Sequence, residues 1–174
     1  MQNYFLLFQL PQQFDIDLTR LNVNYRVIQT ESHPDRFVTA TSAEKLNSMQ
    51  LATTTNEAYQ TLKNPARRAT YLLELQHIDA VAETNTVMPA TFLMQQMEWR
   101  ETLEDARQAK DINALSSLLS EMRAEGASLE VDLADLFDIK HDLIAATDAS
   151  RKLIFIDKVC LDVSQAIATI EDSF

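Results

Sequence analysis

Apolar side chains recur along most of this chain at alternating spacings of three and four residues, the pattern of helices that bury one face. Leu18, Leu21, Tyr25 and Ile28 follow Asp17 at such spacings, which predicts an amphipathic helix over 18–31 with an aspartate N-cap. That helix has to stop near Ser32. Pro34 disfavours helical geometry at His33 and brings no amide hydrogen, so His33-Pro34-Asp35 is expected in a loop. Thr41, with Glu44 three residues on, predicts a capping box that opens a second helix running to Leu62 or Lys63. Asn64-Pro65 then reads as an N-cap followed by proline at the first helical position, starting a short helix over 66–75.

The periodicity lapses between His77 and Pro89, around Thr84-Asn85-Thr86, so residues 76–89 are expected to link two domains. Three further helical patterns follow. Phe92, Trp99, Leu103 and Ala106 share one face of the first. The second carries Leu115, Leu119, Met122, Leu129, Leu133, Leu136 and Leu143, and the third Leu153, Ile156, Cys160, Val163, Ile167 and Ile170. Such seams predict an antiparallel three-helix bundle over 90–174, with short connections near Asp111 and Thr147-Asp148. Gly126 lies on the second seam, where glycine costs about 1 kcal/mol relative to alanine and marks a candidate kink or break.

Composition agrees with an all-α protein: one glycine and four prolines leave few sites for tight turns, and 46% apolar residues over 174 positions suffice for a core. The opening residues have no basic start and no apolar run, and no segment approaches the roughly 20 apolar residues of a membrane span, so a cytoplasmic protein is expected. The net charge of −11 is unevenly spread. Residues 1–75 hold seven basic and seven acidic side chains, whereas residues 76–174 hold eight and nineteen. A neutral half joined to an acidic half argues against nucleic acid or an anionic membrane as partner, both of which require basic patches.

No catalytic or metal constellation emerges, and no cofactor is expected. His33 and Asp35 flank a proline in a tight loop with no nucleophile or oxyanion donor beside them. His77 and His141 lack ligand spacing, and Cys160, the sole cysteine, falls on a helix seam as a small core side chain. Met94 and Met97 have no third soft ligand nearby and read better as contact surface. At about 100° per residue from Phe92, Leu93, Met97 and Met94 fall at about 100°, 140° and 200°, away from the seam. Phe155 lies about 200° from Leu153 and is likewise off its stripe. These apolar residues, rimmed by Glu98 and Glu101, form a candidate recognition patch.

The tripeptide His33-Pro34-Asp35 alone is a weak signal, occurring by chance in about 2% of chains this long. It is accompanied by Tyr4, Leu7 and Leu10 before it and by Asn56-Glu57-Ala58-Tyr59, Leu62, Pro65, Arg68, Ala69 and Tyr71 after it. Together these resemble the J-domain pattern over residues 1–75. The resemblance implies a helical hairpin with two short flanking helices, whose His33-Pro34-Asp35 tip, with Arg26 and Arg36, docks on a heat-shock ATPase. The second half, through Thr91-Phe92-Leu93-Met94, Glu98, Arg100, Glu101, Arg151-Lys152-Leu153 and Phe155-Ile156-Asp157-Lys158, resembles the HscB-type iron-sulfur co-chaperones.

That resemblance implies a non-enzymatic adapter with two partners. An HscA-type chaperone would be engaged by the first domain, and an IscU-type scaffold held by Leu93, Met94, Met97, Glu98, Glu101 and Phe155. The alternative is a J-domain adapter delivering another client to a general DnaK-type chaperone. The chain departs from the J-domain pattern in three places. The helix before the tripeptide offers only Arg20 and Arg26 as cations and ends in Glu31-Ser32 without an aromatic, leaving Arg36, Lys45 and Lys63 as further sources of attraction, and Thr55 stands where an aliphatic residue is usual.

Overall fold

The computed structural model describes residues 3–32, 41–81 and 88–172. The described residues form seven α-helices and one π-helical segment, with no strand among them. They are α1 (Tyr4–Leu7), α2 (Leu18–Glu31), α3 (Ser42–Lys63), α4 (Pro65–Glu74), α5 (Ala90–Gln108), α6 (Ile112–Ala134), the π-segment Asp135–Lys140 and α7 (Leu143–Glu171). The chain divides into two compact units, Met1–Leu72 and Leu73–Phe174.

In the first unit the helix ends form where local chemistry directs. The Asp17 carboxylate accepts from the Arg20 amide at 3.0 Å and starts α2. Thr41 and Glu44 complete a reciprocal capping box on α3. Asn64 accepts from the Arg67 amide at 2.9 Å, and Pro65 opens α4 where its missing N–H costs nothing. The apolar pattern of α2 is only partly used: Leu21 is fully buried, but Leu18, in the first helical position, is 46% exposed. The resembling residues hold the hairpin of α2 and α3 together. Tyr25 stacks on Tyr59 with ring centroids 3.9 Å apart, Tyr25 donates to Asn56, and Tyr59 donates to Asn22, each at 2.8 Å. Tyr71 accepts from the Tyr4 amide at 3.0 Å while stacking on its ring. Buried Arg68 donates to the Leu62 carbonyl in the last turn of α3 and lies 4.7 Å from the Phe14 ring centroid. Its charge thus meets the negative end of a helix dipole.

In the second unit, α5, α6 and α7 bury Phe92, Trp99, Leu115, Met122, Leu129, Leu133, Leu153, Ile156 and Val163. Gly126 does not break α6, which runs through it. A Cβ at that position would meet Ile156 Cγ2 at 3.5 Å and Leu153 Cδ1 at 3.7 Å, so this is where α7 comes close to α6. The expected turn at Thr147-Asp148 is a correction: those residues lie inside α7, and the chain reverses at His141-Asp142 instead. His141 adopts the left-handed conformation (φ 54°), and Asp142 caps α7 by accepting from the Ala145 amide at 3.0 Å. Thr147, expected in the turn, sits buried in a helix, as does Ser150, and their hydroxyls donate to the carbonyls of Leu143 and Ala146. The π-segment explains the shifted phase, since a π turn takes in an extra residue. After Leu133 the next buried position is Phe137, not Leu136.

Candidate functional site

Residues 33–40, which include the candidate docking residues His33, Pro34, Asp35 and Arg36, lie outside the described residues, as do residues 82–87 of the expected linker. The flanks of the 33–40 segment are described, and both are pinned. Ser32, 2% exposed, ends α2, and its carbonyl accepts from the Ser48 hydroxyl of α3 at 2.6 Å. On the other side Thr41 donates both its amide and its hydroxyl to the Glu44 carboxylate, each at 2.8 Å, and the hydroxyl also accepts from the Glu44 amide at 3.3 Å. Those bonds from Thr41, backbone first and side chain second, hold the Glu44 carboxyl below its usual range. Arg26 is exposed on α2, Lys45 is exposed on α3, and Lys63 lies 5.3 Å from the Tyr59 ring centroid.

The second candidate surface is described in full. Leu93, Met94 and Met97 on α5 are 46%, 63% and 70% exposed, and Glu98 and Glu101 on the same helix are exposed as well. Phe155 differs from the expectation of a freely exposed ring. It is half-buried, edge-on to Phe92 with centroids 5.9 Å apart and parallel to Trp99 at 6.3 Å, with 13° between the planes. Sequence periodicity measures only the stripe of its own helix, α7, and does not register the aromatic side chains that α5 brings alongside.

Two cations join this cluster that were not singled out as site residues: the Arg100 guanidinium lies 5.4 Å from the Phe155 centroid and the Lys152 ammonium 5.5 Å from that of Phe92. Each contact runs between α5 and α7, so no spacing along either helix registers it. Deeper in, the buried Trp99 donates its indole N–H to the Glu121 carboxylate of α6 at 2.9 Å. The result is a surface with an apolar centre, a wedged aromatic ring and charges of both signs at its edge, a composition suited to recognising a protein.

Elsewhere the chemistry is sparse. Among the described residues no group of three or more His, Cys, Asp and Glu could hold a metal ion, and no helix is long and apolar enough to cross a membrane. Cys160 is half-buried rather than fully in the core, and burial pushes its thiol pKa up, away from the reactive thiolate. Arg151 fastens the 78–81 segment to α7 by donating to the Ala80 carbonyl at 2.7 Å while Asp148 lies 3.4 Å from its guanidinium.

A family model described as the HSCB C-terminal oligomerisation domain matches residues 88–164. A protein of Ralstonia nicotianae named co-chaperone protein HscB homolog is 48% identical over 169 residues, 97% of this chain and 96% of that one. Its namesake in Paraburkholderia phymatum is 47% identical over 98% of this chain and 97% of its own. Among solved structures, chaperone HscB from Vibrio cholerae superposes with a TM-score of 0.82 at 38% identity, covering 97% of this chain and 99% of that one. Human co-chaperone protein HscB gives a TM-score of 0.86 at 27% identity, covering 95% and 82%.

Proposed function

This chain belongs to the HscB family of iron-sulfur co-chaperones, and from that premise we propose that it joins two specific partners, an HscA-type heat-shock ATPase and an IscU-type scaffold. The observation that carries the reading is the α5 surface, where Leu93, Met94 and Met97 face solvent and Phe155 of α7 is wedged alongside the same helix. Apolar side chains of this size, two of them pliable methionines, gain by being covered by a partner, and Glu98 and Glu101 give the contact a polar rim. In this reading residues 1–75 form the J-domain, residues 76–89 the linker and residues 90–174 the scaffold-binding domain.

Docking on the ATPase falls to His33, Pro34 and Asp35, with Arg26 and Arg36 beside them. The bonded flanks at Ser32 and Thr41 support this, because they fix where the chain leaves α2 and where it enters α3. Asp35 accepts a charge-assisted bond from a partner arginine, and contact with the hydrolysis-competent state of the ATPase raises its turnover. The chain itself performs no bond chemistry, and it works in the cytoplasm without a cofactor.

Two measurements test the two ends separately. Leu93→Ala with Phe155→Ala should weaken binding to purified IscU-type scaffold by about tenfold or more, since truncated anchors dominate interface energetics. Asp35→Asn should abolish stimulation of the HscA-type ATPase while leaving scaffold affinity intact. Unchanged scaffold binding in the double variant would favour the alternative, an adapter for another client of a general DnaK-type chaperone. Equal stimulation by wild type and Asp35→Asn would remove the proposed role of that carboxylate.

A further inference from the structure

Phe155 is an odd binding residue to leave half-buried. A phenylalanine on the rim of a three-helix bundle has two ways to fail: it can turn into the core, or it can sample several exposed rotamers and lose that freedom when a partner arrives. Here its ring is constrained by edge contact with Phe92, parallel contact with Trp99 and the guanidinium of Arg100 at 5.4 Å from its centroid. Trp99 is itself 3% exposed and meets Phe92 edge-on at 6.3 Å. A buried indole N–H needs an acceptor, and Glu121, an exposed residue of α6, supplies it at 2.9 Å. One side chain from α6 thereby sets the position of an indole on α5, against which a ring on α7 is laid.

We propose that Trp99 and Glu121 are positioning residues for the partner surface: the Glu121 carboxylate fixes the Trp99 indole, which holds the Phe155 ring half-exposed and ready to be covered. Neither residue has to touch the partner. The inference rests on the proposed scaffold-binding role of Phe155 and adds the device that orders it before binding. Glu121 is the better point of attack, because an exposed residue can be changed without opening a cavity, whereas truncating the buried Trp99 endangers the fold.

The experiment is a double-mutant cycle on scaffold affinity, measured by titration calorimetry with the full chain and purified IscU-type scaffold, with thermal unfolding followed for each variant. Glu121→Ala removes the acceptor and should raise Kd by roughly three- to tenfold, the loss expected for one hydrogen bond that orders a contact residue. Glu121→Gln removes the charge but retains a carbonyl acceptor, and should stay within about twofold of wild type. In a Phe155→Leu background the effect of Glu121→Ala should fall below about twofold, because the ring it positions is gone. An undiminished effect in that background, a Gln variant as weak as the Ala variant, or an Ala variant that binds like wild type overturns the inference while the scaffold assignment survives. Failure of the wild-type chain to bind the scaffold removes that assignment, and the positioning role falls with it.

Discussion

Thr55 marks where a single side chain is at odds with its surroundings. It is fully buried on α3, and its hydroxyl has no hydrogen-bond partner among the described residues. The usual escape for a helical threonine, donation to the carbonyl four residues back, is taken by Thr30, Thr53 and Thr70 but not here. Desolvating a hydroxyl without return costs free energy, and valine has nearly the same branched shape without the polar atom. Thr55→Val should therefore stabilise the first unit by about 1 kcal/mol in urea unfolding. A variant of equal or lower stability would show that the hydroxyl has a partner in solution. The aliphatic preference of the J-domain pattern at this position has the same physical origin, and the departure was visible in the sequence before its cost could be assessed.

Helix boundaries separate what could be read from the sequence from what could not. Asp17, the Thr41–Glu44 pair and Asn64-Pro65 declare their helix starts because a cap is made within three residues, and each forms as expected. The turn before α7 was misplaced because its determinants are mutually competing: Asp142 and Asp148 both resemble caps, and only the π-segment, absent from any periodic template, selects the first. Lys140 and Asp135, five residues apart, meet across that segment as helical spacing of three or four would not bring them, though such an exposed pair adds little stability. The half-burial of Phe155 escapes the periodicity of α7 for a related reason, since it comes from the rings of another helix. The best test at this scale is the capping box. Glu44 has a folded pKa below its ordinary value, so its contribution is fully present above the unfolded pKa and fades as pH falls through the folded one. The stability advantage of wild type over Glu44→Gln should accordingly be seen near neutrality and shrink on acidification below about pH 4, measured by urea titrations at each pH. An advantage independent of pH would mean the ionised carboxylate is not what the cap requires.

Across the whole molecule, the two halves of the chain differ in charge. Residues 1–75 carry no net charge and residues 76–174 carry all of the −11, so the second half has the stronger long-range field. The proposed docking of the first half on an ATPase would then depend less on long-range attraction than that of the second half on its scaffold. The exposed carboxylates of Glu98 and Glu101 lie beside the apolar residues of α5, which places part of that field at the proposed scaffold contact. A scaffold surface complementary to it would be basic, and salt would then act on encounter rather than on the desolvated centre. Raising the salt from about 0.05 M to about 0.5 M, which shortens the screening length from roughly 14 Å to roughly 4 Å, should slow scaffold association by about tenfold and change dissociation little in stopped-flow measurements. Over the same range the concentration of this protein giving half-maximal ATPase stimulation should move by much less. A scaffold association rate indifferent to salt would mean that the acidic half serves solubility and that Leu93, Met94, Met97 and Phe155 achieve recognition without electrostatic guidance.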